Sequence, residues 1–341
     1  MHEVCVLITT YNMGRWLGES LASAVSQRGI DFEVLIVDDG STDNTEEVVK
    51  AFQQTHPGLV RYLHQEHRGR SAALNAGFDA ADAEFVTALD ADDQMHPDRA
   101  RLEVEALRRF PEAAFAISCR WNYQQGSDEG TLSLTPRSLV GTDEPGFYLI
   151  QDPLTVLLQV GEPPGTCACS SRLSFSRTTG RYDEQQPSCV DGELWIRVTH
   201  NRPIAYCTAP LYFRRLHAAS LSAVSPRRHR HVARAVDKAR QHWADYSPET
   251  QRLLEGFENI VAFGEAKRLI FAGQRPQARQ LLREHWQRLK SKRARMMYLA
   301  SFLPLRLLRR IQRRRLERLR GPLLNRQVIE QSEPARALGL E

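Results

Sequence analysis

Phe85-Val86-Thr87-Ala88-Leu89-Asp90-Ala91-Asp92-Asp93-Gln94-Met95-His96-Pro97-Asp98-Arg99 is the stretch on which the chain is organised. Phe85 to Leu89 is a short apolar run of the buried-strand type, and Pro97 opens a helix-like pattern. Between them lie three carboxylates in four residues, Asp90, Asp92 and Asp93. Carboxylates this close repel one another unless a cation sits between them. Hard oxygen ligands in this number suit Mg²⁺ or Mn²⁺, ions that commonly also hold substrate phosphates. A solvated acidic turn is the alternative for this stretch taken alone.

Upstream, the same pattern recurs. Val4-Cys5-Val6-Leu7-Ile8 and Glu33-Val34-Leu35-Ile36-Val37 are continuous apolar runs, as strands buried on both faces require. Val60-Arg61-Tyr62-Leu63 is a shorter strand. Between the runs, Leu17, Leu21, Ala24 and Val25 share a helical face ending at Gly29. Ser41, Thr42 or Asp43 can cap the next helix, and Gly69 to Gly77 starts one rich in small residues. Strand-helix alternation at this spacing predicts an α/β layered sheet. In such sheets ligands bind outside the carboxyl ends of the strands. The polar clusters fall there each time: Thr9 to Tyr11, Asp38-Asp39, and Asp90-Asp92-Asp93.

A nucleotide fits these ends. The Rossmann glycine fingerprint and the Walker A sequence are both absent, so metal and cationic side chains are expected to hold the phosphates. An EF-hand loop is excluded, because its sixth and twelfth positions, counted from Asp90, hold Met95 and Arg101 rather than Gly and Glu.

Composition sets the outer bounds. At 341 residues there is room for one large domain with an extension, or for two domains. The 42% hydrophobic and 26% charged content is that of a globular protein, and a net charge of +5 does not call for a nucleic acid. The six cysteines lack paired CxxC spacing, which points away from zinc and redox motifs. Met1-His2-Glu3 leads directly into a strand, and no apolar segment approaches the ~20 residues of a membrane span. A reducing cytoplasmic setting is the expectation.

After Pro226 the pattern turns helical and basic, with segments expected near 228–244, 249–271, 275–290 and 292–319. In residues 304–320, Leu305, Leu308, Ile311, Leu316 and Leu319 share one helical face, with arginines on the other. A basic amphipathic helix predicts attachment to a membrane surface; a helix packed on protein with its arginines solvated is the alternative. The tail after Pro322 reads as flexible.

Thr9-Thr10-Tyr11-Asn12, Val37-Asp38-Asp39-Gly40-Ser41-Thr42-Asp43, Gly69-Arg70-Ser71-Ala72-Ala73-Leu74-Asn75-Ala76-Gly77 and Leu89-Asp90-Ala91-Asp92-Asp93 resemble, in order and spacing, the family-2 inverting glycosyltransferases of GT-A fold. The resemblance continues through Gly180-Arg181-Tyr182-Asp183-Glu184, Val190-Asp191-Gly192-Glu193-Leu194-Trp195-Ile196-Arg197 and Tyr212 to Leu221. It implies a Rossmann-like mixed sheet flanked by helices over residues 1–222, with a nucleotide-binding half (1–110) and an acceptor-binding half (111–222). A helical extension (223–321) and the tail (322–341) would follow.

Carried over by resemblance, Thr9 and Tyr11 would line the nucleotide pocket, and Asp39 would accept a hydrogen bond from the base. Arg70 would lie near base or phosphates. Asp92 would bind Mn²⁺ or Mg²⁺, Asp90 the ribose or the metal, and His217 would approach the diphosphate or metal. Asp191 would be the general base. The departure is Val190, where the family carries Glu.

Residues 120–170 read as acceptor-facing, with Gly165 and Thr166 either flanking the acceptor or forming a plain turn. Asp191 also reads as a helix N-cap, His217 as a structural histidine and Arg70 as a surface charge. The expected activity is inverting transfer from a nucleotide diphosphate sugar, a UDP-sugar in the first instance. The acceptor would be a saccharide, a lipid-linked molecule or another hydroxyl compound, in surface polysaccharide or glycolipid synthesis. A nucleotide-binding protein without transfer activity and a nucleotidyltransferase of related topology are the competing readings.

Overall fold

The structure of the protein, a computed structural model, describes residues 1–124, 129–133, 146–160, 169–186, 188–217, 228–241, 244, 246–289, 298–299, 301–302 and 324–325. Four parallel strands begin it: β1 (His2–Thr10), β2 (Phe32–Asp38), β3 (Val60–His64) and β4 (Ala83–Asp90), in the order β3-β2-β1-β4. The crossovers are α1 (Gly14–Val25), α2 (Thr45–Thr55) and α3 (Arg70–Ala80). The continuous apolar runs have the expected cause. Cys5, Leu7, Leu35 and Val37 enter one core with Ala73, Leu74 and Phe78 of α3. Val4, Val6, Ile8, Val34 and Ile36 enter the other with Leu17, Leu21 and Ala24 of α1. Both faces are covered, so neither residue parity can be polar.

Gly77 sets how closely α3 approaches the sheet, since a Cβ there would stand 2.4 Å from the Leu7 side chain. Because the chain steps outward from β1 to β3 and returns to β4 on the other side, the topology switches between β1 and β4. A ligand crevice opens at such a point.

The rest of the sheet is mixed. It comprises β5 (Gln94–Met95), β6 (Ala116–Gln124), β7 (Glu129–Ser133), β8 (Phe147–Ile150), β9 (Cys169–Arg172) and β10 (Ile204–Leu216). β9 lies antiparallel between β4 and β6, while β10 runs parallel to β6 and antiparallel to β5 and β8. The helices of this half are α4 (Arg99–Arg109), α5 (Pro153–Val160), α6 (Leu173–Ser176) and α7 (Val190–Thr199). This is the expected mixed α/β sheet with helices on its faces.

The chain divides into two compact units, Met1–Ala223 with Leu324–Glu341, and Val224–Leu323. In the second, α8 (Arg228–Arg240), α9 (Pro248–Phe271) and α10 (Arg275–Leu289) stand where helical spacing placed them. Ser247 caps α9 by accepting from the Thr250 amide at 3.1 Å. Ala266, Leu281 and Leu282 form an apolar contact between α9 and α10, and Arg240 of α8 bonds Glu258 of α9 at 3.0 Å. In the tail read as flexible, β11 (Leu324–Asn325) pairs antiparallel with β7 through Gly130 and Glu129. Backbone pairing there does what the polar side chains do not signal.

Gly165, Thr166 and the basic stretch 304–320 lie outside the described residues. Among the described residues no helix is long and apolar enough to cross a membrane.

Candidate active site

The strand ends are tied together loop by loop. After β2, Asp38 accepts from the Ser41 amide at 2.8 Å and from the Tyr62 hydroxyl at 2.6 Å. Burial, then this carboxylate, raises the Tyr62 pKa, so the phenol stays a donor. Asp43 is the side chain that receives the first amide of α2, accepting from Thr45 N at 3.0 Å. Its other oxygen accepts from the Gly14 amide at 2.9 Å, joining α1 to α2. Asn12, held at φ 54°, links to Ser41 and Thr42 and so fixes the loop that carries Tyr11.

Asp39 is buried and more heavily engaged than its sequence suggests. Oδ1 accepts from Gln65 Nε2 at 2.7 Å and from the Arg68 amide at 2.9 Å. Oδ2 accepts from the Gly69 amide at 2.8 Å and lies 2.8 Å from His67 Nδ1. Gly69 takes φ 93°, a region that disfavours other residues, just before α3. His67 in turn stacks on Tyr11, with ring centroids 4.1 Å apart. Tyr11, half-open to solvent, and Asp39 therefore meet through His67.

The turn after β4 is held by its backbone. Asp90 O accepts from the Ser20 hydroxyl at 3.1 Å and from the Asp93 amide at 3.1 Å. Asp92 O accepts from Arg215 Nε at 3.0 Å. The carboxylates stand close together: Asp90, Asp92 and Asp93 present oxygens within 4.8 Å of one another. Thr9 sits opposite Asp90 in the β1–β4 register. Arg70, at the start of α3, bonds the Asp90 carboxylate at 2.6 Å rather than standing in solvent.

β10 completes the site from the far side of the sequence. The Tyr212 hydroxyl donates a short hydrogen bond to Asp93 Oδ2, and the Arg215 amide donates to Oδ1 at 2.8 Å. His217 Nε2 lies 2.9 Å from Asp92 Oδ2, and its ring stacks on Trp16 at 4.2 Å. Arg215 also bonds Glu19 at 2.6 Å, which lowers the Glu19 pKa.

These residues fit a divalent ion. Asp92 and Asp90 are partly open and offer hard oxygens. Burial, then Asp92 and Asp90, pushes the Asp93 pKa up, a mark of carboxylates crowded into one turn. Among the described residues the buried Nδ1 of His217 has no hydrogen-bond partner, a second mark of an incompletely satisfied site.

Asp191 lies in the first turn of α7 and is partly exposed. It is not the N-cap: Cys189 holds that position, at φ 58°. Val190 is buried in the core with Leu194 and Trp195, so the position where the family carries Glu is apolar here. Glu193 is paired with Arg197 at 2.9 Å. Burial raises the pKa of the Cys169 thiol on β9, with smaller pushes from Glu103 and Asp191.

Sequence reasoning missed Trp16, Glu19, Ser20 and His67. Ser20 left a signal: it falls on the helical face of Leu17, Leu21 and Ala24, and a buried hydroxyl there needs a partner. Glu19 and His67 left none.

Comparison with known proteins bears on this arrangement. The family described as Glycosyl transferase family 2 matches residues 5–178, just over half of the 341. An uncharacterized glycosyltransferase of Nostoc sp., alr2836, is 30% identical over 211 residues, 61% of this chain and 59% of that protein. Chondroitin synthase of Escherichia coli is 30% identical over 224 residues, 64% of this chain and 30% of that enzyme. The matched segments thus span less than two thirds of either relative. S. aureus TarS 1-349 in complex with UDP-GlcNAc superposes with a TM-score of 0.64 at 16% identity, covering 88% of this chain and 89% of that one. The mannosyltransferase PcManGT from Pyrobaculum calidifontis, in complex with GDP-Man and Mn²⁺, gives 0.57 at 19% identity, covering 99% and 83%. At such identities the structural likeness speaks to the fold, which is GT-A. With the motifs, the strand-end geometry and the match over residues 5–178 together, the chain belongs to Glycosyl transferase family 2.

Proposed function

We propose that this glycosyltransferase moves a sugar from a nucleotide diphosphate sugar, a UDP-sugar, to an acceptor hydroxyl with inversion at the anomeric carbon. The observation that carries the reading is the Asp90-Asp92-Asp93 cluster at the topological switch point, bound to the end of β10. TarS and the chondroitin synthase, both similar to this chain, support a sugar nucleotide and a saccharide product by their names.

Glycosyl transfer leaves negative charge on the departing diphosphate while the anomeric carbon becomes oxocarbenium-like. Asp92 and Asp90 would hold a divalent ion, Mn²⁺ or Mg²⁺, which when bound supplies Lewis-acid stabilisation of several kcal/mol at the leaving oxygens. Arg70, already beside Asp90, brings a fixed positive charge to the same side. Tyr11 and the loop braced by Asp39 form the base end of the pocket. Asp191 takes the proton from the attacking acceptor oxygen, a role worth roughly 10²–10⁴-fold. One base opposite one leaving group gives in-line displacement and hence inversion. The acceptor is a saccharide or lipid-linked hydroxyl compound, and the basic stretch 304–320 holds the enzyme at the inner face of the membrane.

Calorimetry of the full chain against UDP, GDP and TDP, each with and without Mn²⁺, tests this. Binding of UDP that needs Mn²⁺, and slow Mn²⁺-dependent hydrolysis of a UDP-sugar, are expected. Indifference to all three diphosphates in the presence of Mn²⁺ would end the reading.

A further inference from the structure

Beneath the Asp90–Asp93 turn lies an ion pair that the chemistry above does not use. Arg99 and Glu103 of α4 have side chains 0% exposed, with Arg99 Nε 3.1 Å from Glu103 Oε1. Burying a charge is costly unless its hydrogen bonds are met, and here they are. Glu103 Oε1 also accepts from the Ser118 hydroxyl of β6 at 2.7 Å, and Oε2 from the Ser170 hydroxyl of β9 at 2.6 Å. Ser170 is 2.7 Å from the Thr87 hydroxyl of β4. One carboxylate thus anchors three neighbouring strands.

The arginine faces the other way. Its Nη1 donates to the carbonyl of Ala88 at 3.0 Å, two residues before Asp90. Its guanidinium carbon lies 4.9 Å from the ring centroid of Tyr212, whose hydroxyl is the donor to Asp93. Arg99 therefore touches both shoulders of the turn: directly before Asp90, and through Tyr212 after Asp92. The planar guanidinium can satisfy a carboxylate, a carbonyl and an aromatic face at once, which an ammonium cannot.

We infer that the buried Arg99–Glu103 pair is a positioning device that sets the spacing of the Asp90 and Asp92 carboxylates for the divalent ion, with Tyr212 as its second arm. The pair touches neither ion nor substrate and acts only through Ala88 and Asp93. This rests on the divalent-ion reading given above. Outer contacts of this kind typically change metal affinity by ~10–100-fold when removed.

The test measures Mn²⁺ uptake in the presence of UDP by the loss of the free-ion electron paramagnetic resonance signal, which needs no turnover. The full-length protein is compared with three variants. Arg99→Lys keeps the charge but lacks the fork. Arg99→Met with Glu103→Gln removes both charges and keeps an amide for Ser118 and Ser170. Tyr212→Phe keeps the ring and removes only the hydroxyl bond to Asp93 Oδ2. Near-ultraviolet circular dichroism and thermal midpoints report folding. Mn²⁺ affinity is expected to fall about 10-fold or more in the double variant and less in Arg99→Lys, in proteins that keep the wild-type dichroism. Should the double variant not fold, Arg99→Lys and Tyr212→Phe carry the decision. Variants that fold, lose thermal stability and still bind Mn²⁺ within about twofold of wild type would show a merely structural pair and overturn the inference. Wild-type protein that takes up no Mn²⁺ with UDP would overturn the divalent-ion reading itself, and the inference with it.

Discussion

The two groups that the proposed function brings together are mounted in different ways. The Asp90–Asp93 turn and Ala88, two residues before it, are held by hydrogen bonds to their main chain from α1, α4 and β10, through Ser20, Arg99 and Arg215. Asp191 rides on the first turn of α7, whose inner face is apolar: Val190, Leu194, Trp195 and Val198 sit in the core. Hydrogen bonds are directional and fix atoms to tenths of an ångström, whereas apolar packing fixes a helix as a body. A diphosphate and its ion need fixed oxygens. On the proposed function, a base that must meet an acceptor hydroxyl needs only a helix end in the right place.

Function should separate along that line. Asp191→Asn is expected to lower transfer or donor hydrolysis by ~10²–10⁴-fold while leaving Mn²⁺-dependent UDP binding as it was. Paired rate and calorimetric measurements decide it, and a matching loss of nucleotide affinity would place Asp191 on the donor side instead. Asp92→Asn should affect binding and rate together. It removes metal-dependent binding and, with several kcal/mol of charge stabilisation gone, lowers the metal-stimulated rate on the order of 10²–10³-fold.

Stability should separate too. Trp195 is fully buried, 5.0 Å from Phe115, so Trp195→Ala is expected to cost about 3–5 kcal/mol in denaturant unfolding. Ser20→Ala removes one hydrogen bond to Asp90 O and should cost about 1 kcal/mol. Equal costs would erase the contrast between the two mountings.

The smallest effect concerns Glu19. Arg215 lowers its pKa from 4.5, so its contribution is present above the unfolded value and is lost as pH falls through the folded one. Glu19 is more than half exposed, so solvent screening keeps the contribution below about 1 kcal/mol. The difference in unfolding free energy between wild type and Glu19→Gln should therefore be small near neutrality and shrink as pH falls below the unfolded value. A difference that grows on acidification would contradict the pairing.

Much of the first half could be read from residues alone. Val4 to Ile8 and Val34 to Val37 are strands because a parallel strand covered on both faces must be apolar throughout. The acidic ends were legible for the same reason, since a carboxylate that follows such a run emerges at the sheet's carboxyl edge. The second half resisted. Nothing local announces that the 13-residue strand β10 pairs with β5, β6 and β8 together, with register shifts around Pro210. Asp39 was legible as a carboxylate at a strand end, but not as one with both oxygens engaged by residues 65–69. Asp191 reads as a cap, yet Cys189 takes that position and leaves Asp191 within the helix.

By itself, the sequence determined where the first four strands lie, which family motifs end them, and that three aspartates crowd one turn. Those are consequences of periodicity and of short-range repulsion, which act over a few residues. Only the tertiary structure decided what each aspartate faces. Tyr212 reaches Asp93 across 119 residues, His217 reaches Asp92 across 125, and Arg215 reaches Glu19 across 196. Such pairings depend on strand order and register, which burial of the whole sheet selects and no local pattern encodes.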